Sequence, residues 1–79
     1  MEYIDNIQSS NVLRIGYDEE KLDLYVYYKT KTPSGNLYVY KSVARKVFED
    51  LKKSSSKGKF ITEFIKGKYT FMKPMNQPG

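Results

Sequence analysis

The stretch Leu37-Tyr38-Val39-Tyr40-Lys41-Ser42-Val43, which runs straight into residues 44–53, decides the fold. Tyr38 and Tyr40 are two residues apart, so a strand brings both to one face of a sheet and sends Leu37 and Val39 to the other. Beyond the strand, Val47, Phe48 and Leu51 recur at helical spacing and form a narrow apolar stripe. Ser42 stands at the joint, where a serine hydroxyl suits the capping of a free helix amide. Lys52 and Lys53 fall where cations favour the carboxyl end of a helix. A strand feeding a helix in this way predicts an α+β domain.

Upstream, residues 22–30 alternate as a strand, with Leu22, Leu24, Val26 and Tyr28 on one face and Asp23, Tyr25, Tyr27 and Lys29 on the other. Thr32-Pro33-Ser34-Gly35 matches a type I turn and makes a hairpin with residues 36–41. Residues 12–17 predict an earlier strand, in which Leu13, Ile15 and Tyr17 alternate with Arg14 and Gly16. Asp18-Glu19-Glu20-Lys21 reads as its solvated turn, opened by an aspartate able to bond the backbone ahead of it. Residues 1–10 show no sustained period and are expected to be extended or loosely docked.

Downstream, Ser54-Ser55-Ser56-Lys57-Gly58 interrupts the first helix. A second covers residues 59–66, with Phe60, Ile61, Phe64 and Ile65 as its stripe and Gly67 as its stop. Tyr69-Thr70-Phe71 reads as a short extended segment able to pair at a sheet edge. The expected architecture is a three-stranded antiparallel sheet, four-stranded if that segment pairs, with two short helices packed on one face. One domain spans 9–73, preceded by an N-terminal extension (1–8) and followed by a disordered tail (74–79).

Seventy-nine residues support one core, and a core of that size contributes only about 3–5 kcal/mol of net stability. Cysteine is absent, so no disulfide supplements it; twelve aromatics do so in part, and self-association would do so further. The acidic start Met1-Glu2-Tyr3-Ile4-Asp5 lacks a signal-peptide pattern, and no apolar run approaches the roughly 20 residues of a membrane span. The expected setting is the cytoplasm, with no membrane contact.

The net charge of +5 is unevenly placed. Through Tyr28 there are six acids against Arg14 and Lys21; from Lys29 onward there are twelve bases against Glu49, Asp50 and Glu63. A basic C-terminal part suits an anionic partner, although lysines that merely solvate helix faces give the same count. The candidate anion-binding residues are Arg45 and Lys46 at the start of the first helix, Lys57 and Lys59 around the start of the second, and Lys52, Lys53, Lys66 and Lys68. Cations at a helix start oppose its dipole by about 0.3–1 kcal/mol each, whereas an anion there gains from both amides and cations. The competing reading turns these side chains toward Glu49, Asp50 or solvent.

With neither histidine nor cysteine, the chain lacks the usual neutral-pH base, a thiol nucleophile and the common transition-metal ligands. Ser56-Lys57-Gly58-Lys59 does not complete a phosphate-binding loop, which needs an upstream glycine and a Gly-Lys-Ser/Thr ending. The expectation is a protein that is not an enzyme and uses no cofactor and no metal. If the helices cover the face carrying Tyr38 and Tyr40, then Tyr25, Tyr27, Leu37 and Val39 line the opposite face. That face would either stack unpaired bases or bury itself in a homo-oligomer, and Leu37 and Val39 favour the oligomer.

In order along the chain, Ser10, Ile15-Gly16-Tyr17-Asp18, Leu22, Leu24, Tyr38-Val39-Tyr40, Val43, Ser56-Lys57-Gly58, Phe60, Ile61, Ile65 and Tyr69 resemble the KTSC family. This small module occurs alone in bacteria and phages and at the C-terminus of some lysyl-tRNA synthetases. The resemblance covers roughly residues 9–71. Two departures are Ala44, where the family often has proline, and a longer loop over 31–37. The synthetase context implies RNA as the ligand, and the family's range implies a bacterial cell or a phage protein acting in the host cytoplasm. The functional expectation is a non-catalytic module for an anionic nucleic acid, RNA before others, on a basic helical surface. The alternative is a self-associating accessory protein that binds a phosphorylated nucleotide or a protein partner.

Overall fold

The computed structural model describes residues 1–5, 7, 9, 11–29 and 36–73. The expected turn at Thr32–Gly35, Ser10 of the resemblance and the tail at 74–79 lie outside the described residues. The elements run β1 (Glu2–Ile4), β2 (Val12–Asp18), β3 (Asp23–Tyr28), β4 (Asn36–Tyr40), α1 (Arg45–Lys53), α2 (Lys57–Phe60) and β5 (Phe71–Met72). A π-helical turn, Ile61–Ile65, continues α2 directly.

The fold is α+β, and its antiparallel sheet has five strands in the order β1-β2-β3-β4-β5 rather than three or four. β5 is the edge pairing expected near residues 69–71, and β1 is the strand beyond that expectation; both are short. Glu2, Tyr3 and Ile4 pair with Tyr17, Gly16 and Ile15, so the expected extension supplies the first strand of the sheet. Phe71 and Met72 pair with Tyr40 and Val39 at the opposite edge.

The pairing sorts the side chains into two faces. One carries Ile4, Ile15, Val26 and Tyr38 in one row and Glu2, Tyr17, Leu24, Tyr40 and Phe71 in the next. Val43, Phe48, Leu51, Ile61 and Ile65 complete the core above it, all fully buried. Tyr17 illustrates how closely the layers fit: its ring stacks 4.7 Å from that of Phe48, and its hydroxyl donates to the Val43 carbonyl at 2.6 Å.

Three local expectations are corrected. A bulge between Val12 and Arg14 shifts the β2 alternation, so Val12 is buried and Leu13 is exposed. Ser42 does not cap α1: it takes a left-handed φ of 59°, and Ala44 occupies the N-cap position without a side-chain cap. That corner lets Val43 turn inward and donate its amide to Leu22 O at 2.9 Å. Third, Phe64 is 54% exposed and leaves the second stripe to Ile61 and Ile65. The wider π turn, closed by Lys66 N to Ile61 O at 2.8 Å, places these two over the core. The aspartate-led turn after β2 forms as expected, with Asp18 Oδ1 accepting from the amides of Glu20 (3.1 Å) and Lys21 (3.4 Å).

Candidate functional site

Positions 45, 49 and 52 share one stripe of α1, and the fold turns this stripe toward the N-terminal strand and the turn after β2. Arg45 there meets three carboxylates: Glu2 at 2.7 Å, Glu19 at 2.8 Å and Glu49 at 2.8 Å. Lys52 lies 3.3 Å from Glu2 and 3.8 Å from Glu49. The hydrogen bond to Glu2 raises the Arg45 pKa, and the same bond holds the Glu2 carboxyl below its ordinary value. Carboxylates thus offset the cation that would oppose the α1 dipole. The expectation that Arg45 and Lys52 receive an external anion finds no support in this geometry, because the acids of the N-terminal half already surround them.

Positions 46 and 53, seven residues apart, share a different stripe of α1. Lys46 and Lys53 are exposed, as are Lys66 and Lys68 beyond the π turn, and among the described residues none of the four forms an ion pair. Lys57 is half-buried and donates to Ser54 O at 3.0 Å, while Lys59 reaches Glu63 at 3.8 Å. The eight candidates therefore divide into a neutralised pair beside β1, two with local partners and four open cations.

The face away from the helices is less bare than its sequence suggests. Tyr25, Tyr27 and Leu37 are half-buried and Val39 is only 5% exposed. One row across it reads Tyr3, Gly16, Tyr25, Val39 and Met72. Gly16 is small enough for the Tyr3 ring to lie across it; a Cβ there would come within 2.8 Å of that ring. The Arg14 guanidinium stacks on Tyr3 at 4.0 Å and pairs with Asp5 at 2.9 Å. Asp23, 2% exposed on this face, is paired with Lys41 at 2.9 Å.

A second aromatic group, on the helix side near the β3–β4 hairpin, has no counterpart among the sequence expectations. Tyr38 packs edge-on to Tyr28 at 5.2 Å and against Phe71 at 5.1 Å, and Phe71 lies 5.8 Å from Tyr40. The hydroxyls of Tyr28 and Tyr40 share a 2.9 Å hydrogen bond. Burial pushes the Tyr28 and Tyr40 hydroxyls upward in pKa, so both stay protonated. A cleft of about 120 Å³ opens there between Tyr28, Lys29, Asn36, Tyr38 and Lys66. The edge pairing expected near residues 69–71, made here by β5 with β4, brings Phe71 to this group.

The family model for the KTSC domain matches residues 8–69, most of the chain. The chain belongs to the KTSC domain family. Its fold is similar to the crystal structure of a KTSC domain protein from Yersinia pestis, with a TM-score of 0.80 and 28% sequence identity over 94% of this chain and 97% of that one. Among curated proteins, none matches.

Among the described KTSC residues seen in sequence, Tyr40 and Gly58 pack inside the fold. Tyr40 is 1% exposed at the centre of the core, whereas Tyr38 is half-buried at its rim. In Ser56-Lys57-Gly58 the glycine is buried against the side chains of Ser9 and Asn11, and a Cβ on it would collide with Ser9 Oγ. Ser9 Oγ in turn accepts from the amides of Asn11 and Val12 at 3.2 Å each. Gly58 is thus the point where α2 meets the start of β2.

Proposed function

We propose that this KTSC domain is a non-catalytic binding module for an anionic nucleic acid, RNA before others, carried by the basic residues of its helical side. The supporting observation is the division of charge. Glu2, Glu19 and Glu49 gather around Arg45 and Lys52, which leaves Lys46, Lys53, Lys66 and Lys68 exposed and without an acidic partner among the described residues. Open lysines on α1 and just beyond the π turn suit a polyanion, which is held by many phosphate contacts rather than by one deep pocket.

Titration of the protein with a fluorescently labelled mixed RNA pool at several salt concentrations tests this reading. Log affinity should fall against log salt with a slope of about −0.7 per phosphate neutralised. Affinity that is absent, or that does not respond to salt, overturns it.

A second reading rests on the opposite face, where Tyr3 and Met72 are exposed beside half-buried Tyr25, Tyr27 and Leu37. In this reading the domain self-associates through that apolar row and holds a phosphorylated nucleotide or a protein partner. Light scattering that shows a stable oligomer, together with a thermal shift by one nucleotide of a panel, supports it; a monomer indifferent to the panel removes the nucleotide-binding version.

A further inference from the structure

Three clefts hold a carboxylate among their lining residues: one of about 570 Å³ beside β1 has Asp5, one of about 450 Å³ has Glu2, Asp18, Glu19 and Glu20, and one of about 420 Å³ beside α2 has Glu63. The smaller cleft at the hairpin end has none among its described lining residues. Its lining combines two lysines, two tyrosines and an asparagine amide. Lys29 Nζ is anchored to the Ser9 carbonyl at 2.7 Å, and Lys66 is exposed. Next to the cleft, Phe71 is 48% exposed and lies against Tyr38, over whose ring Lys73 Nζ sits at 5.0 Å.

Resting on the nucleic-acid reading above, we propose that Tyr38 and Phe71 form a stacking subsite for one unpaired base, with Lys66 taking the adjoining phosphate, so that the ligand is single-stranded RNA rather than duplex. Every base presents a flat π-face, and an exposed ring held in place by an aromatic cluster offers that face a partner. The rings here form a cluster, with Phe71 tilted against Tyr38 at 5.1 Å and Tyr40 at 5.8 Å and itself 48% exposed. In a duplex both faces of a base are already stacked and its pairing edge is used, so an isolated edge ring has nothing to receive. The Asn36 amide, together with whichever tyrosine hydroxyl valence the Tyr28–Tyr40 pair leaves open, supplies donors and acceptors for a base edge. The charge is complementary as well, since lysines border the rings and no carboxylate is among the described residues lining the cleft.

The chain has eight tyrosines and no tryptophan, so tyrosine quenching that is present in wild type and reduced in Tyr38→Leu reports stacking at Tyr38. Single-stranded oligouridylate, a duplex RNA of equal strand length and inorganic polyphosphate of similar charge are each titrated into wild type, Phe71→Ala and Tyr38→Leu, with melting curves confirming that each variant is folded. Wild type should prefer oligouridylate to both other ligands and show quenching with it. Phe71→Ala should lose about 5- to 100-fold in oligouridylate affinity while its polyphosphate affinity stays unchanged. Salt-dependent RNA binding that is the same in wild type and Phe71→Ala, or that is tighter for duplex, overturns the subsite and leaves the basic surface standing. Failure of wild type to bind any of the three overturns both.

Discussion

Glu2 Oε1 lies 2.7 Å from Arg45 Nη2, which fastens the first strand of the sheet to the first turn of α1. The guanidinium keeps the Glu2 carboxyl below its ordinary value of 4.5. A carboxyl whose folded pKa lies below its unfolded pKa stabilises the fold fully above the unfolded value and loses that contribution as pH falls through the folded one. Acidification below about 4.5 should therefore loosen the anchoring of β1, seen as reduced amide protection at Tyr3 and Ile4. Glu2→Gln should remove this acid step, and an identical acid profile in both proteins would show that the contact does not hold β1.

The contact also separates two roles for basic residues. Arg45→Ala should lower the melting temperature and leave RNA affinity nearly unchanged, because the side chain is already held by acids. Parallel melting and titration of this variant check both halves of that expectation.

Tyr17 and Tyr40 are each 1% exposed yet should respond differently to substitution. Tyr17→Phe keeps the stack on Phe48 and deletes only the bond to Val43 O, a loss of about 1–2 kcal/mol. Tyr40→Ala empties the centre of the core and should cost about 3–5 kcal/mol. Urea unfolding of both variants measures the difference; equal losses would mean that the ring of Tyr40 adds nothing to its hydroxyl.

Gly58→Ala should destabilise by about 1–3 kcal/mol, since its Cβ would meet Ser9 Oγ and lie 3.0 Å from Asn11 Oδ1. The same substitution in a Ser9→Ala background should cost less, with a coupling of about 0.5–3 kcal/mol in a double-mutant cycle. Strict additivity would place the origin of the effect elsewhere.

Ala44 has φ −66° and ψ 150°, the geometry that proline prefers, and its amide donates no backbone hydrogen bond among the described residues. Ala44→Pro should accordingly stabilise by about 0.4–1 kcal/mol through the unfolded chain. A loss of stability would show that the corner at Ser42 and Val43 cannot accept the ring.

Much of this architecture is legible in the sequence because β3, β4 and α1 carry strong periods. The 2-residue alternation from Leu24 to Tyr28 and the Val47, Phe48, Leu51 stripe both reappear in the structure. The features that sequence alone does not show depend on residues distant in the chain. The first strand is three residues long and exists only through its pairing with β2. The bulge before Arg14 inverts an alternation that looks regular on paper. Ser42 has the chemistry of a cap, but the corner needed to bury Val43 takes it into the left-handed region. The charge asymmetry is visible in the sequence too, but which cations remain open is not. Glu2 and Glu19 reach Arg45 only because the β1–β2 edge folds beside α1.

The central claim is that open lysines of the C-terminal part neutralise the phosphates of a bound RNA. Lys66→Gln combined with Lys68→Gln, titrated with oligouridylate across a salt series, tests it most directly. If both lysines engage phosphate, the variant keeps the wild-type melting temperature, binds more weakly and has a salt slope shallower by about 1.4, about 0.7 for each phosphate no longer neutralised. An unchanged slope and affinity in a folded double variant would contradict the account.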